Sequence, residues 1–169
     1  MALLVLGAFG TAGCEDEPAD DGAVRLADAY TAIVEWQVGE QEPVLDEAGE
    51  PVLPLVFVVA DNGATIDVGV QAEVAEATAE WATVRFADDV ADTFDSDLDG
   101  EPVRNDGSLL VIGPMPDMAR AIDVDVVRYL SVDDSESFVL EVTATPGPRD
   151  TTAVSPRAAV TAVSAVDQP

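Results

Sequence analysis

The stretch Asp95-Ser96-Asp97-Leu98-Asp99-Gly100-Glu101 is the one place where residue types and spacing together suggest chemistry. Asp at alternate positions followed by Gly is the first half of a calcium-binding loop. The carboxylates converge on one hard cation, and Gly permits the sharp bend. Asp95, Asp97, Asp99, Glu101 and Asp106 are therefore the candidate calcium ligands. The second half fits less well: Pro102 stands where an aliphatic is expected, and Asp106 where a longer, bidentate Glu closes the loop. No flanking helices are evident. Calcium affinity in such a loop is expected to be weak, near the millimolar range of extracellular modules. A solvated acidic turn is the plainer expectation, because Asp runs occur throughout this chain.

Two carboxylates held at fixed separation in a cleft would support glycoside cleavage. Thirty-four acidic residues give no basis for choosing such a pair, and aromatics at 5% leave little with which to stack a sugar. The absences exclude more. Without His there is no Ser-His-Asp triad, no Cys-His pair and no imidazole ligand. A single Cys forms no intramolecular disulfide and no cysteine zinc cluster, and without Lys there is no P-loop lysine and no Schiff base. No catalytic residue is nominated, and no cofactor is expected beyond the candidate calcium.

The single cysteine, Cys14, follows an uncharged segment, Met1 to Gly13, that is apolar from Ala2 to Phe9 except at Gly7. This run is shorter than the roughly 20 residues a membrane-spanning helix needs. It fits the apolar region of a secretory signal followed by a small-residue cleavage site. Thr11-Ala12-Gly13-Cys14 resembles the lipobox of a bacterial lipoprotein precursor. Ala12 and Gly13 match the usual small residues, Thr11 stands where that class usually has Leu, and no Lys or Arg precedes the apolar run. The resemblance implies that residues 1–13 are a cleaved signal peptide and that Cys14 becomes the acylated, palmitate-bearing first residue. It also implies anchorage to the cell membrane, through lipid, on the extracytoplasmic face. Five carboxylates follow within residues 15–21. A segment so charged cannot bury apolar surface, so residues 14–22 are expected to form a solvated tether.

Residues 23–166 are expected to form a single domain, and 169 residues in all suffice for one real core. Residues 23–38 have helical spacing, with Leu26, Tyr30, Ile33, Val34 and Gln37 or Val38 on one face and Asp20 and Asp21 upstream. Trp36 is expected at the edge of that face as a packing aromatic. Two copies of Glu-Pro-Val-Leu, at 42–45 and 50–53, flank a turn ending in Gly49. Their prolines restrict them to an edge or a loop; a surface hairpin is the simpler reading, and a flap over a pocket the alternative.

Leu55 to Ala60 is a buried strand, followed by a turn at Asn62-Gly63. Residues 68–81 are helical, through Val70, Val74, Ala77 and Trp81. Val84 to Phe86 is a short strand, and Asp88 to Phe94 a helical turn. Ser108 to Gly113 is a further strand. Residues 121–132 and 137–145 alternate apolar and polar around Asp133-Asp134-Ser135, the pattern of an antiparallel hairpin. Residues 146–156 form a proline-rich loop, and Ala158 to Val166 a closing strand.

The fold class expected is α+β: two helices in the N-terminal half, with a mostly antiparallel sheet weighted to the C-terminal half. Val84 to Asp89 and Asn105 to Pro114 are weakly similar to uncharacterised secreted actinobacterial proteins, a resemblance that covers about 85–114 and carries no function. The expected function is a non-enzymatic binding or interaction domain, lipid-anchored outside the cell membrane; the alternative is a small carboxylate-dependent hydrolase acting on cell-wall polymer.

Net charge bounds the partners. With 34 acidic residues against seven Arg, the chain carries −27 and repels nucleic acid and anionic headgroups. The membrane contact expected is thus the lipid on Cys14 alone, and the protein or envelope partner is left open. An acidic excess on this scale resembles proteins of salt-adapted, GC-rich bacteria. Self-repulsion destabilises the compact state, and salt screens it: the Debye length falls from about 10 Å at 0.1 M to about 3 Å at 1 M. Added salt is therefore expected to raise the melting temperature in thermal unfolding followed by circular dichroism, and an unchanged midpoint would remove the idea.

Overall fold

Two strands in the middle of the chain are buried on both faces, and the other elements are arranged to cover them. β1 (Leu55–Ala60) and β3 (Ser108–Ile112) lie side by side and parallel, with Val56 opposite Ser108 and Ala60 opposite Ile112. Val56, Val58, Leu109 and Leu110 have no solvent exposure. Burial on both sides is why these strands are continuous apolar runs. The computed structural model describes residues 24–115, 120–145 and 158–166. Cys14, the acidic tether, Asp20, Asp21 and the proline-rich loop at 146–156 lie outside the described residues.

The other strands are β2 (Thr83–Phe86), β4 (Ala121–Tyr129), β5 (Ser135–Ala144) and β6 (Ala158–Val166), in one sheet of order β2-β1-β3-β4-β5-β6. This corrects the expected fold class. β1 is parallel to both β2 and β3, and only the β3-β4, β4-β5 and β5-β6 pairs are antiparallel. The sheet is mixed rather than mostly antiparallel, and one helix is threaded between parallel strands rather than segregated from them. The physical reason lies in the connections. Residues 61–82 and 87–107 each carry the chain back to the end of the sheet where it began, and a crossover of that length makes parallel neighbours. The strands do lie mostly in the C-terminal half, and the helices in the N-terminal half.

The two faces are covered differently. On one, α1 (Leu26–Gly39) and α2 (Val68–Thr78) pack over Val56, Val58, Leu110, Ile112, Val124 and Leu140. On the other, the 87–107 connection lays Phe94 and Val103 over Phe57, Val59, Leu109 and Val111. That connection contains two one-turn helices, Val90–Thr93 and Arg104–Asp106. β4 alternates because Ile122, Val124 and Val126 face the helices, whereas Asp123 and Asp125 are exposed.

Local chemistry explains the helix limits. The Asp67 carboxylate caps α2 by accepting from the backbone N–H of Gly69 at 2.8 Å. The helix stops at Thr78, so Trp81 follows it instead of lying on it. Arg25 precedes α1 and makes no side-chain cap, although its guanidinium meets Glu73 of α2 at 2.5 Å. Leu26, expected on the buried face, is 40% exposed; the buried stripe runs through Ala27, Tyr30, Val34 and Gln37. Burial pushes the Tyr30 phenol above its usual range.

Gln37 is the exception in that stripe. It is 1% exposed, and neither Oε1 nor Nε2 has a hydrogen-bond partner among the described residues. An unsatisfied buried polar group costs about 1–3 kcal/mol, so Gln37→Leu, of similar volume, is expected to stabilise the fold by about 1 kcal/mol in a urea titration. Gln37→Ala, which leaves a cavity as well, is expected to destabilise it. A marked loss of stability in Gln37→Leu would show that the amide is satisfied in solution.

Candidate functional site

The doubled Glu-Pro-Val-Leu segment forms a short hairpin that cannot extend. Its turn is fixed by Asp46, whose Oδ1 accepts from the N–H groups of Ala48 (2.8 Å) and Glu50 (2.9 Å), and by Gly49 at φ +81°. The N–H of Val52 donates to the carbonyl of Val44 at 2.8 Å, and a single bridge pairs Leu45 with Pro51. Prolines at 43, 51 and 54 supply no further donors. The hairpin therefore stays outside the sheet. Its end is tied down where the N–H of Thr83 donates to the Pro54 carbonyl at 2.9 Å.

Between this hairpin and the body of the domain lies an apolar groove of about 440 Å³. Pro43, Val44, Val52 and Leu53 form one wall, and Val38, Leu55 and Trp81 belong to the body. Val44 is 65% exposed and Leu53 44% exposed, high values for residues of their size. The polar lining is Gln41, Glu42, Asn105 and Asp106. Gln41 is held in place where its Nε2 donates to Oγ of buried Ser108 at 3.1 Å.

Asn105 and Asp106 reach the groove through an unusual turn. Both are in the left-handed region, at φ +56° and +54°, which Asn and Asp tolerate better than most residues. Gly107 then lets the chain pass close to the start of β1, where a Cβ would lie 3.0 Å from the Leu55 carbonyl oxygen. The groove is assembled from stretches around residues 38–55, 81 and 105–106. Sequence reasoning left out Gln41, Asn105 and the groove role of Trp81. The repeated Glu-Pro-Val-Leu was the one available signal, read as a hairpin with a flap over a pocket as the alternative.

The proposed calcium ligands are dispersed. A bridge between Phe94 and Val103 closes their loop, and the N–H of Asp95 donates to the Pro102 carbonyl at 2.9 Å. Asp95 is half-buried and directs its Oδ1 to the N–H of Asp97 at 3.3 Å. Asp97, Asp99 and Glu101 are exposed along the turn, and Asp106 lies in the groove. Among the described residues, no three His, Cys, Asp or Glu side chains come together as a metal-binding group.

Among the described residues, the two partly buried acids do not share a site. Of the described acids, only Asp28 and Asp95 are less than exposed. Asp28 sits on α1 and Asp95 in the connection that covers the opposite face, so they cannot flank one bond. No protein-family model matches this chain, and neither the curated proteins nor the solved structures contain a match. Titration calorimetry with calcium up to millimolar concentration, on the wild type and on Asp97→Ala, tests the loop directly, and no saturable heat from either would count against a metal site there. Saturable heat that is lost in the variant would support the metal-loop reading.

Proposed function

We propose that this protein is a lipid-anchored, extracytoplasmic envelope protein whose folded domain binds a ligand rather than catalysing a reaction. The address rests on the leader and on Cys14, with the acyl chains as its membrane contact. The binding role rests on one observation: the apolar groove between the hairpin and the body of the domain, with Trp81 in its lining. Its volume falls within the roughly 300–1,000 Å³ typical of small-molecule pockets, and apolar walls with a few placed polar groups are the usual composition of such sites.

Trp81 gives the groove an optical readout, and Trp36→Phe leaves it as the only tryptophan. With that variant, titration with 2-phenylethanol is expected to produce a saturable change in Trp81 emission. Adding Leu53→Asp, which puts a charge on the apolar wall, is expected to abolish it. No saturable change with any small aromatic probe would end the binding reading. In the native membrane fraction, mass spectrometry is expected to find Cys14 as an acylated first residue, and an unmodified Cys14 preceded by residues 1–13 would end the anchor.

A further inference from the structure

We propose, resting on the groove reading above, that the groove is selective for an organic cation: an apolar body carrying a protonated or quaternary amine. The position of the groove in the fold is the first ground. It lies at the amino ends of the parallel strands, beside Leu55 of β1 and the residues just before β2 and β3. α2 runs from the carboxyl end of β1 to the amino end of β2, so its C-terminus points to this end of the sheet. α1 also finishes here, since Val38 and Gln41 line the groove.

A helix C-terminus carries about half a negative charge, and cations are stabilised there. Neither helix has a basic residue in its last turn to compensate. Glu40 and Glu42 follow α1, and Glu80 follows α2. The charged side chains lining the groove are Glu42 and Asp106, both acidic. The left-handed turn at Asn105-Asp106 and the close approach at Gly107 place the second of these at the groove. A cation entering this site meets negative potential from two helix ends and two carboxylates, with an indole that attracts cations through its face. An anion of the same shape meets the reverse.

The test compares three probes of similar size, phenethylammonium, 2-phenylethanol and 3-phenylpropionate, by Trp81 emission in Trp36→Phe and by calorimetry on the wild-type chain. The expected order is cation, then alcohol, then anion, with the cation about tenfold tighter than the alcohol at low salt. That preference is expected to collapse at about 1 M salt. Glu42→Gln with Asp106→Asn is expected to bring the cation down to the affinity of the alcohol. Asp123→Asn with Asp125→Asn removes the same charge from the exposed face of β4 and is expected to leave the preference intact. Equal binding of cation and alcohol would overturn the proposal while leaving the groove a binding site. So would an equal loss in the β4 variant, which would trace the preference to the overall charge. If none of the three probes binds, the groove reading falls and the proposal with it.

Discussion

The parallel contact between β1 and β3 is the constraint on which this fold depends. Both strands are apolar on every side chain from Leu55 to Ala60 and from Leu109 to Ile112, so neither can occupy an edge or a one-faced layer. Each needs cover above and below. A parallel pair also requires the chain to travel back to its starting end between the two strands. The segment from Asp61 to Gly107 meets both needs: α2 joins α1 over one face, β2 protects the outer edge of β1, and the 87–107 connection covers the other face with Phe94 and Val103. Beyond β3 the demand relaxes. In β4 and β5, Asp123, Asp125 and Glu141 are turned to solvent, and alternation replaces the continuous apolar run.

That relaxation explains which parts were legible in the sequence. Element positions follow from side-chain periodicity, and Leu55–Ala60 and Ala158–Val166 have the bounds their composition predicts. Pairing direction is not a property of one strand. Alternation in residues 121–132 and 137–145 around a short polar connection identified an antiparallel pair. The unbroken runs revealed only double burial. The order of strand 55–60, helix and strand 84–86 contained a crossover unit, yet nothing local indicates that β3 must return to the free side of β1. Leu26 was misplaced for a related reason. Small Ala side chains spread the apolar side of α1 so widely that spacing alone does not choose between Leu26 and Ala27 as the residue facing inward. The groove draws on three separated stretches and left only its repeated tetrapeptide as a trace. For the acidic loop, spacing placed the carboxylates in one turn but did not reveal that Asp95 would accept from the Asp97 backbone.

Electrostatics divides the two ends of the sheet. In open sheets with parallel strands, ligands usually bind at the carboxyl ends, where helix N-termini supply positive potential. Here that end is already neutralised. The Asp67 carboxylate occupies the N-terminus of α2, and Asp61, Asp88 and Asp89 stand exposed where β1 and β2 finish. The amino ends instead gather two uncompensated helix C-termini beside an apolar hollow. An acidic excess that looks uniform in composition is therefore structured: at one end it cancels a field, and at the other it adds to one.

The few aromatic residues reinforce that contrast. A core of Val, Ala, Ile and Leu gives each side chain little area, and a net charge of −27 works against compaction. Three edge-to-face pairs therefore join elements that the strand ladder does not connect. Tyr30 meets Phe86 at 6.3 Å between α1 and β2, Trp36 meets Phe138 at 5.0 Å between α1 and β5, and Phe94 meets Tyr129 at 6.0 Å between the covering connection and β4. Such pairs add about 0.5–1.5 kcal/mol beyond their buried area. Arg128, paired with Glu136, lies over the Phe138 ring at 5.2 Å and strengthens the second. Phe57 is buried between strands and connection. That leaves Trp81 as the described aromatic that is neither paired with another ring nor fully buried. Trp81 packs on one side against the main core, and the part of its ring left exposed in the groove is contact surface to offer a ligand.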